Sequence, residues 1–235
     1  MKIVDVSSLG ETVDAINEGF FWGRRLSRTE REEAARWIAG RQGLPGAYRG
    51  GALPAPTQKD IENGIRLFTG EKVRTRAGIA HVLGEEACRT LILLSVPLSE
   101  VKAALQRATD AMSSCLQKAL RSKRWQDRPG EYCCGRCTLA IWRHMAVGGL
   151  SDAVPDRWLR DGIRTLNSNR TGDGKWKRYP FYYTLLTLTE IDSASARKEM
   201  NYAAPTCEKI LRRSPRDDRF DQRRRAVLER VLQKC

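Results

Sequence analysis

Apolar residues return every three to four positions along most of the chain, and nowhere do they alternate convincingly as a strand would. Val13, Ile16, Phe20 and Phe21 give a short amphipathic helix over Glu11–Trp22. Ser27 followed by Glu30 is a capping box, opening a helix through Ile38 with Ala34, Ala35 and Ile38 on one face. Gly43–Thr57, rich in glycine and proline, is a loop that serves either as a surface wrap or as a lid. Thr57, with Asp60 three residues on, caps a helix carrying Ile61, Ile65 and Phe68 and stopping at Gly70. Ala77–Leu94 reads as a helix interrupted or bent at Gly84, and Ser99–Leu120 as a long one. After a basic loop, Arg121–Gly130, the stretch PGEYCCGRCTLAIWRHM forms a helix to about Val147, ended by Gly148-Gly149. Pro155 opens the next helix, TGDGKW is a turn, and Pro180 starts another helix. Ser193–Ala203, a helix opened by Pro205, and a last helix capped by Ser214-Pro215 complete the series.

The pattern predicts an all-α fold of about nine to eleven helices, arranged as one domain: a helical pair at 10–41, the Gly/Pro loop at 42–56, helical hairpins at 57–192 and basic helices at 193–235. Asn63-Gly64-Ile65-Arg66 returns as Asp161-Gly162-Ile163-Arg164, 98 positions later, and half that offset lands in a third helix followed by a basic loop. Three hairpin units follow, at 57–97, 99–150 and 155–192, the signature of a stacked helical array. Their second helices are apolar on most sides, as an inner layer would be.

Asp173-Gly174-Lys175-Trp176 followed by Phe181-Tyr182-Tyr183-Thr184 resembles the α/α-toroid repeats of terpenoid cyclases and protein prenyltransferases. The likeness covers residues 131–192 well and 57–97 loosely. It implies a toroid-like ring with an aromatic cavity for isoprenoids, although the chain is short for a complete toroid and an incomplete ring or a curved stack of hairpins fits its length as well. The chain departs from that pattern at the chemistry. It has no D-x-D-D acid motif of the cyclases, and Tyr183 stands where the zinc-binding prenyltransferases would place His.

Composition narrows the picture only a little. The 235 residues are 41% hydrophobic and 30% charged, a globular balance, and no apolar run reaches the length of a membrane span. The opening MKIVDVSSLGE lacks the features of a signal peptide, and seven cysteines, an odd number, read as reduced thiols of a cytoplasmic protein. The net charge of +14 is either a solvated basic surface or a face for phosphates.

Two clusters could carry chemistry. Cys134-Gly135-Arg136-Cys137 is a C-x-x-C with Cys133 beside it, at a helix start that favours thiolates. Cys134, Cys137 and His144 could supply three zinc ligands, the fourth coming from elsewhere. The other readings are cysteines packed at a helix crossing and a redox pair, for which the usual preceding strand is missing. His81 and Glu85 share one helical face, with Glu86 beside them and Arg89 in reach of both carboxylates. That set is either a buried ion pair or a carboxylate and histidine for proton transfer.

If the inner helices share one end, Glu85, Glu86, Arg89, Glu131, Tyr132, Tyr182 and Tyr183 meet at one rim, flanked by basic loops that include Trp176 and Arg178. The expectation is a small-molecule-binding protein or enzyme with an aromatic, apolar pocket for an isoprenoid-like or other phosphorylated ligand. The alternatives are a helical-repeat nucleic-acid binder whose basic loops hold phosphates, and a scaffold for partner proteins.

Overall fold

The computed structural model describes residues 3–150 and 155–235. Within them lie eleven α-helices and one two-stranded hairpin, so the fold is all-α. No described helix is long and apolar enough to cross a membrane. Internal contacts divide the chain into two compact units: Met1–Leu67 with Lys72–Gln117 and Val147–Ser151, and Phe68–Glu71 with Lys118–Ala146 and Asp152–Cys235.

The first unit is built on α4 (Arg76–Leu94), against which α1 (Leu9–Phe21), α2 (Arg28–Ala39) and α3 (Gln58–Asn63) pack. Fourteen of the nineteen residues of α4 are buried, which is why its sequence shows no polar face. Each fully buried aliphatic side chain there, such as Ile79 or Leu91, contributes about 1.5–3 kcal/mol. Gly84 does not interrupt the helix: a Cβ there would lie 3.0 Å from the Leu53 side chain, so the glycine seats the Gly43–Thr57 loop. That loop is pinned as a wrap. Leu53 and Ala55 are fully buried, and Arg41 donates to the Pro56 carbonyl at 3.0 Å.

Both capping boxes form, at Ser27/Glu30 and at Thr57/Asp60. Asp60, which is buried, also accepts from Ser8 Oγ (2.6 Å) and from the backbone N–H groups of Leu9 (3.0 Å) and Gly10 (3.2 Å). One carboxylate thus closes the N-termini of α1 and α3. The helix expected to run to Gly70 stops at Asn63. Gly64 takes φ +72°, and a Cβ there would meet the Val73 carbonyl oxygen at 2.8 Å. The chain instead makes an antiparallel hairpin, β1 (Ile65–Arg66) with β2 (Lys72–Val73). α5 (Ser99–Leu120) follows as the periodicity predicts.

The second unit contains α6 (Lys123–Asp127), α7 (Gly135–Ala146), α8 (Pro155–Ser168), α9 (Phe181–Glu190), α10 (Ala194–Leu211) and α11 (Arg219–Lys234). Here α9 is the apolar centre, packed by α7, α10 and α11. Three boundaries differ from expectation. The basic loop holds the short helix α6. Pro205 lies inside α10, where it removes one backbone hydrogen bond but packing on α8, α9 and α11 carries the helix through. The last helix is capped by Asp218, whose side chain accepts from the N–H groups of Phe220 and Asp221, and not by Ser214-Pro215.

The two N/D-G-I-R copies have unlike structures. Gly64 is a left-handed turn before a strand, whereas Gly162 lies within α8. A Cβ on Gly162 would stand 2.3 Å from the Trp142 ring, so this glycine lets α8 close on α7. Trp142, fully buried, donates its Nε1–H to the Gly130 carbonyl at 3.1 Å.

Candidate functional site

The segment into α7 is not a strand, yet the start of this helix brings the cysteines together. The Cys134 carbonyl accepts the first helical bond, from Thr138 N at 2.9 Å, so Cys134 occupies the N-cap position. The Thr138 hydroxyl, facing back, accepts from the N–H groups of Tyr132 (3.1 Å) and Cys133 (3.5 Å) and fixes the entering chain. Gly135 is required next. Its missing Cβ would stand 2.1 Å from the Arg178 carbonyl oxygen, so the loop before α9 docks directly on the C-G-R-C turn. Arg178, itself at φ +70°, holds the left-handed conformation that turns that loop.

Cys134 is exposed and Cys137 is 2% exposed, and their sulfurs are 3.5 Å apart. The Cys134 thiol is pushed down to about 5. The hydrogen bond shared with the Cys137 thiol is the largest cause. Burial works against the shift, and the backbone N–H groups of Cys137 and Arg136 and the charge of Arg136 add to it. This is the N-cap role performed by sulfur, with thiolate favoured where helix N–H groups converge. Two buried thiols away from the site behave in the opposite way. Burial pushes Cys88 up strongly, and Cys207 up to about 12. All seven cysteines are thiols, and Cys134 is driven toward the reactive thiolate.

His144 does not join the pair. It is fully buried on α7, and seven residues of helix separate it from Cys137 by about 10 Å of rise. Cys133 does: its sulfur lies within 4.8 Å of that of Cys137. Cys134 and Cys137 supply two of the thiolates a zinc ion would need, and His144 cannot supply a ligand to the same ion.

The aromatic and polar residues expected at a rim in this unit have structural partners. Trp176 is buried and donates to Glu199 Oε2 at 2.9 Å. Glu131, also buried, accepts from the Tyr179 hydroxyl at 2.9 Å. Tyr179 is pushed up by burial first and then by Glu131. Tyr132 sits edge-on to Trp158. Tyr183 is fully buried, and its N–H donates to Glu71 Oε1 at 3.1 Å. Tyr182 is half-buried beneath the Arg224 guanidinium, 4.9 Å from the ring centre, and burial raises its hydroxyl. A cleft of about 420 Å³ opens between α8 and α10, lined by Arg164, Arg170 and Lys198 among others. It was not foreseen, because its residues come from separate helices.

In the first unit, His81 Nε2 and Glu85 Oε1 are 3.0 Å apart, the i, i+4 pair the spacing predicts. Both are buried, and Tyr48 of the wrapping loop stacks on the His81 ring at 4.2 Å. Burial raises the Glu85 carboxyl, with His81 opposing that shift. Glu86 is buried beside it, and Arg89 NH1 donates to Asn17 Oδ1 of α1 at 2.7 Å. Tyr48 was missed because a loop aromatic has no periodic signal.

No protein-family model matches the chain, and neither a curated protein nor a solved structure does. The reading of the site therefore rests on these residues.

Proposed function

We propose that the chain is an enzyme of thiol–disulfide exchange, with Cys134 as nucleophile and Cys137 as resolving thiol. The observation that carries this reading is the accessible Cys134 sulfur, held toward thiolate at the N-cap of α7, 3.5 Å from the buried Cys137 sulfur. In the reduced protein the Cys134 thiolate attacks one sulfur of a substrate disulfide, R–S–S–R′. The bond between the two substrate sulfurs breaks, and R′S⁻ leaves and takes a proton from solvent. A mixed disulfide now joins Cys134 to R. Cys137 loses its proton to solvent and attacks the Cys134 sulfur, expelling RS⁻, which is protonated in turn. The dithiol is oxidised by two electrons and the substrate is reduced to two thiols. A low-molecular-weight thiol or dithiol returns the pair to the reduced form.

The exposure difference supports this order of events, since the substrate reaches Cys134 and Cys137 acts only from within. The 3.5 Å separation closes to a bond of about 2.05 Å by side-chain rotation at the helix start. The strand that usually leads into a redox C-x-x-C is not required in this reading, because the Thr138 hydroxyl holds the entering backbone. In this reading sulfur, in place of the Glu85 and Glu86 carboxylates, is the reactive group.

The test is alkylation of the full chain by iodoacetamide across pH, with Cys134 followed by mass spectrometry. A midpoint near 5 and an internal disulfide formed with diamide are the expected results. A midpoint at the free-thiol value of about 8.5, with no internal disulfide, overturns the proposal.

A further inference from the structure

Cys137 has a second sulfur within reach. Cys134 lies 3.5 Å away at the N-cap, and Cys133, one residue earlier, has its sulfur within 4.8 Å of Cys137. The backbone of Cys133 is tied down by its N–H bond to the Thr138 hydroxyl, at 3.5 Å. Cys133 is half-buried, Cys134 is exposed, and Cys137 is nearly closed off.

We infer that Cys133 is a third working thiol of this centre, exchanging with Cys134 for the shared sulfur of Cys137. The inference rests on the dithiol reading above and extends it. Once the Cys134–Cys137 disulfide has formed, the Cys133 thiol gives its proton to solvent and its thiolate attacks the Cys137 sulfur. A Cys133–Cys137 bond forms, the Cys134–Cys137 bond breaks, and Cys134 departs as thiolate. No electrons are gained or lost. A thiol of low pKa leaves readily, and Cys134 is held at about 5.

The consequence is an activity the dithiol alone does not have. A two-cysteine centre is blocked once oxidised, because its nucleophile is locked in the disulfide. With Cys133 in place, the oxidised protein presents an exposed Cys134 thiolate again. That thiolate can attack a disulfide in a substrate and be expelled by a different thiol of the same substrate, which rearranges pairings without net oxidation. The substrate class is then a molecule with at least two exchangeable thiols or disulfides, such as a cysteine-rich peptide.

The experiment maps linkages in the full-length protein after oxidation with diamide. Trypsin cuts after Arg136 and separates Cys137 from Cys133 and Cys134, and differential alkylation then reports which of the two is joined to it. The wild-type chain is expected to give both linkages, Cys134→Ser to keep Cys133–Cys137, and Cys137→Ser to give neither. Oxidised wild-type protein should still take up iodoacetamide at Cys134, and oxidised Cys133→Ser should not. If the wild type forms Cys134–Cys137 while Cys134→Ser forms no link to Cys137, the third-thiol inference is overturned and the dithiol stands. If no variant joins any cysteine to Cys137 and Cys134 alkylates as an ordinary thiol, both readings fail.

Discussion

Trp176 Nε1 donates to Glu199 Oε2 at 2.9 Å, which ties the Asp173–Trp176 turn to a carboxylate of α10 that is 2% exposed. Arg170 NH2 donates to the other oxygen of Glu199 at 2.9 Å, and Asn167 Nδ2 does so at the same distance. Replacing this carboxylate strands several donors together. Glu199→Ala is expected to cost about 3–5 kcal/mol, the range for breaking one partner out of a buried charge pair. Trp176→Phe, which removes one donor and leaves the rest, should cost about 1 kcal/mol. Urea unfolding of the two variants measures the difference, and equal losses would contradict this account.

Gly135→Ala tests how tightly the loop before α9 seats on the dithiol turn. The new Cβ would stand 2.1 Å from a backbone oxygen of Arg178, which no side-chain rotation relieves. A loss of about 1–3 kcal/mol is expected, as for other overpacked sites, together with slower alkylation of Cys134. Unchanged stability and unchanged reactivity would show that the loop moves aside freely.

Cys134 also makes the stability of the reduced protein depend on pH. Its folded value, about 5, lies below the ordinary thiol value of about 8.5, so folding favours the thiolate. That contribution is complete above about pH 8.5 and is lost as pH falls toward 5. The stability of the wild type relative to Cys134→Ser should therefore rise across this window. Thermal melts at pH 5, 7 and 8.5 under reducing conditions give the comparison, and a flat difference would sink it.

Glu85 carries the opposite sign. Burial raises its carboxyl above the usual value, so the protonated form is favoured on folding. Its contribution is present below the ordinary carboxylate range and lost as pH rises through the raised value. Glu85→Gln should lose less stability than the wild type over that rise, seen as converging or crossing melting curves. A wild type that gains on the variant as pH rises would mean that His81 outweighs burial.

The legible parts of the fold were those written in short spacings. The caps at Ser27 and Thr57 need only residues three apart, and both formed. The long helix from Ser99 needed only its period. The misses came where a distant group decided the outcome. Gly64 reads locally as a tolerable helix residue, and the Val73 carbonyl makes it a turn. Pro205 reads as a helix start, and three packed neighbours make it an interior residue. At the candidate site, the C-x-x-C and its helix position were visible, as were His81 and Glu85. The Thr138 latch, the seat at Gly135 and the Tyr48 stack were not, because each joins segments whose pairing no local pattern encodes.

Asp60 accepts from Ser8, Leu9 and Gly10 as well as from its own turn at Thr57. Two stretches about fifty residues apart in sequence therefore share one set of bonds, and neither end can fray by itself. In native-state hydrogen exchange the amides of Leu9 and Gly10 should open together with that of Thr57, as a single cooperative step. The helix Leu9–Phe21 should then be protected at its first turn as well as an interior helix is.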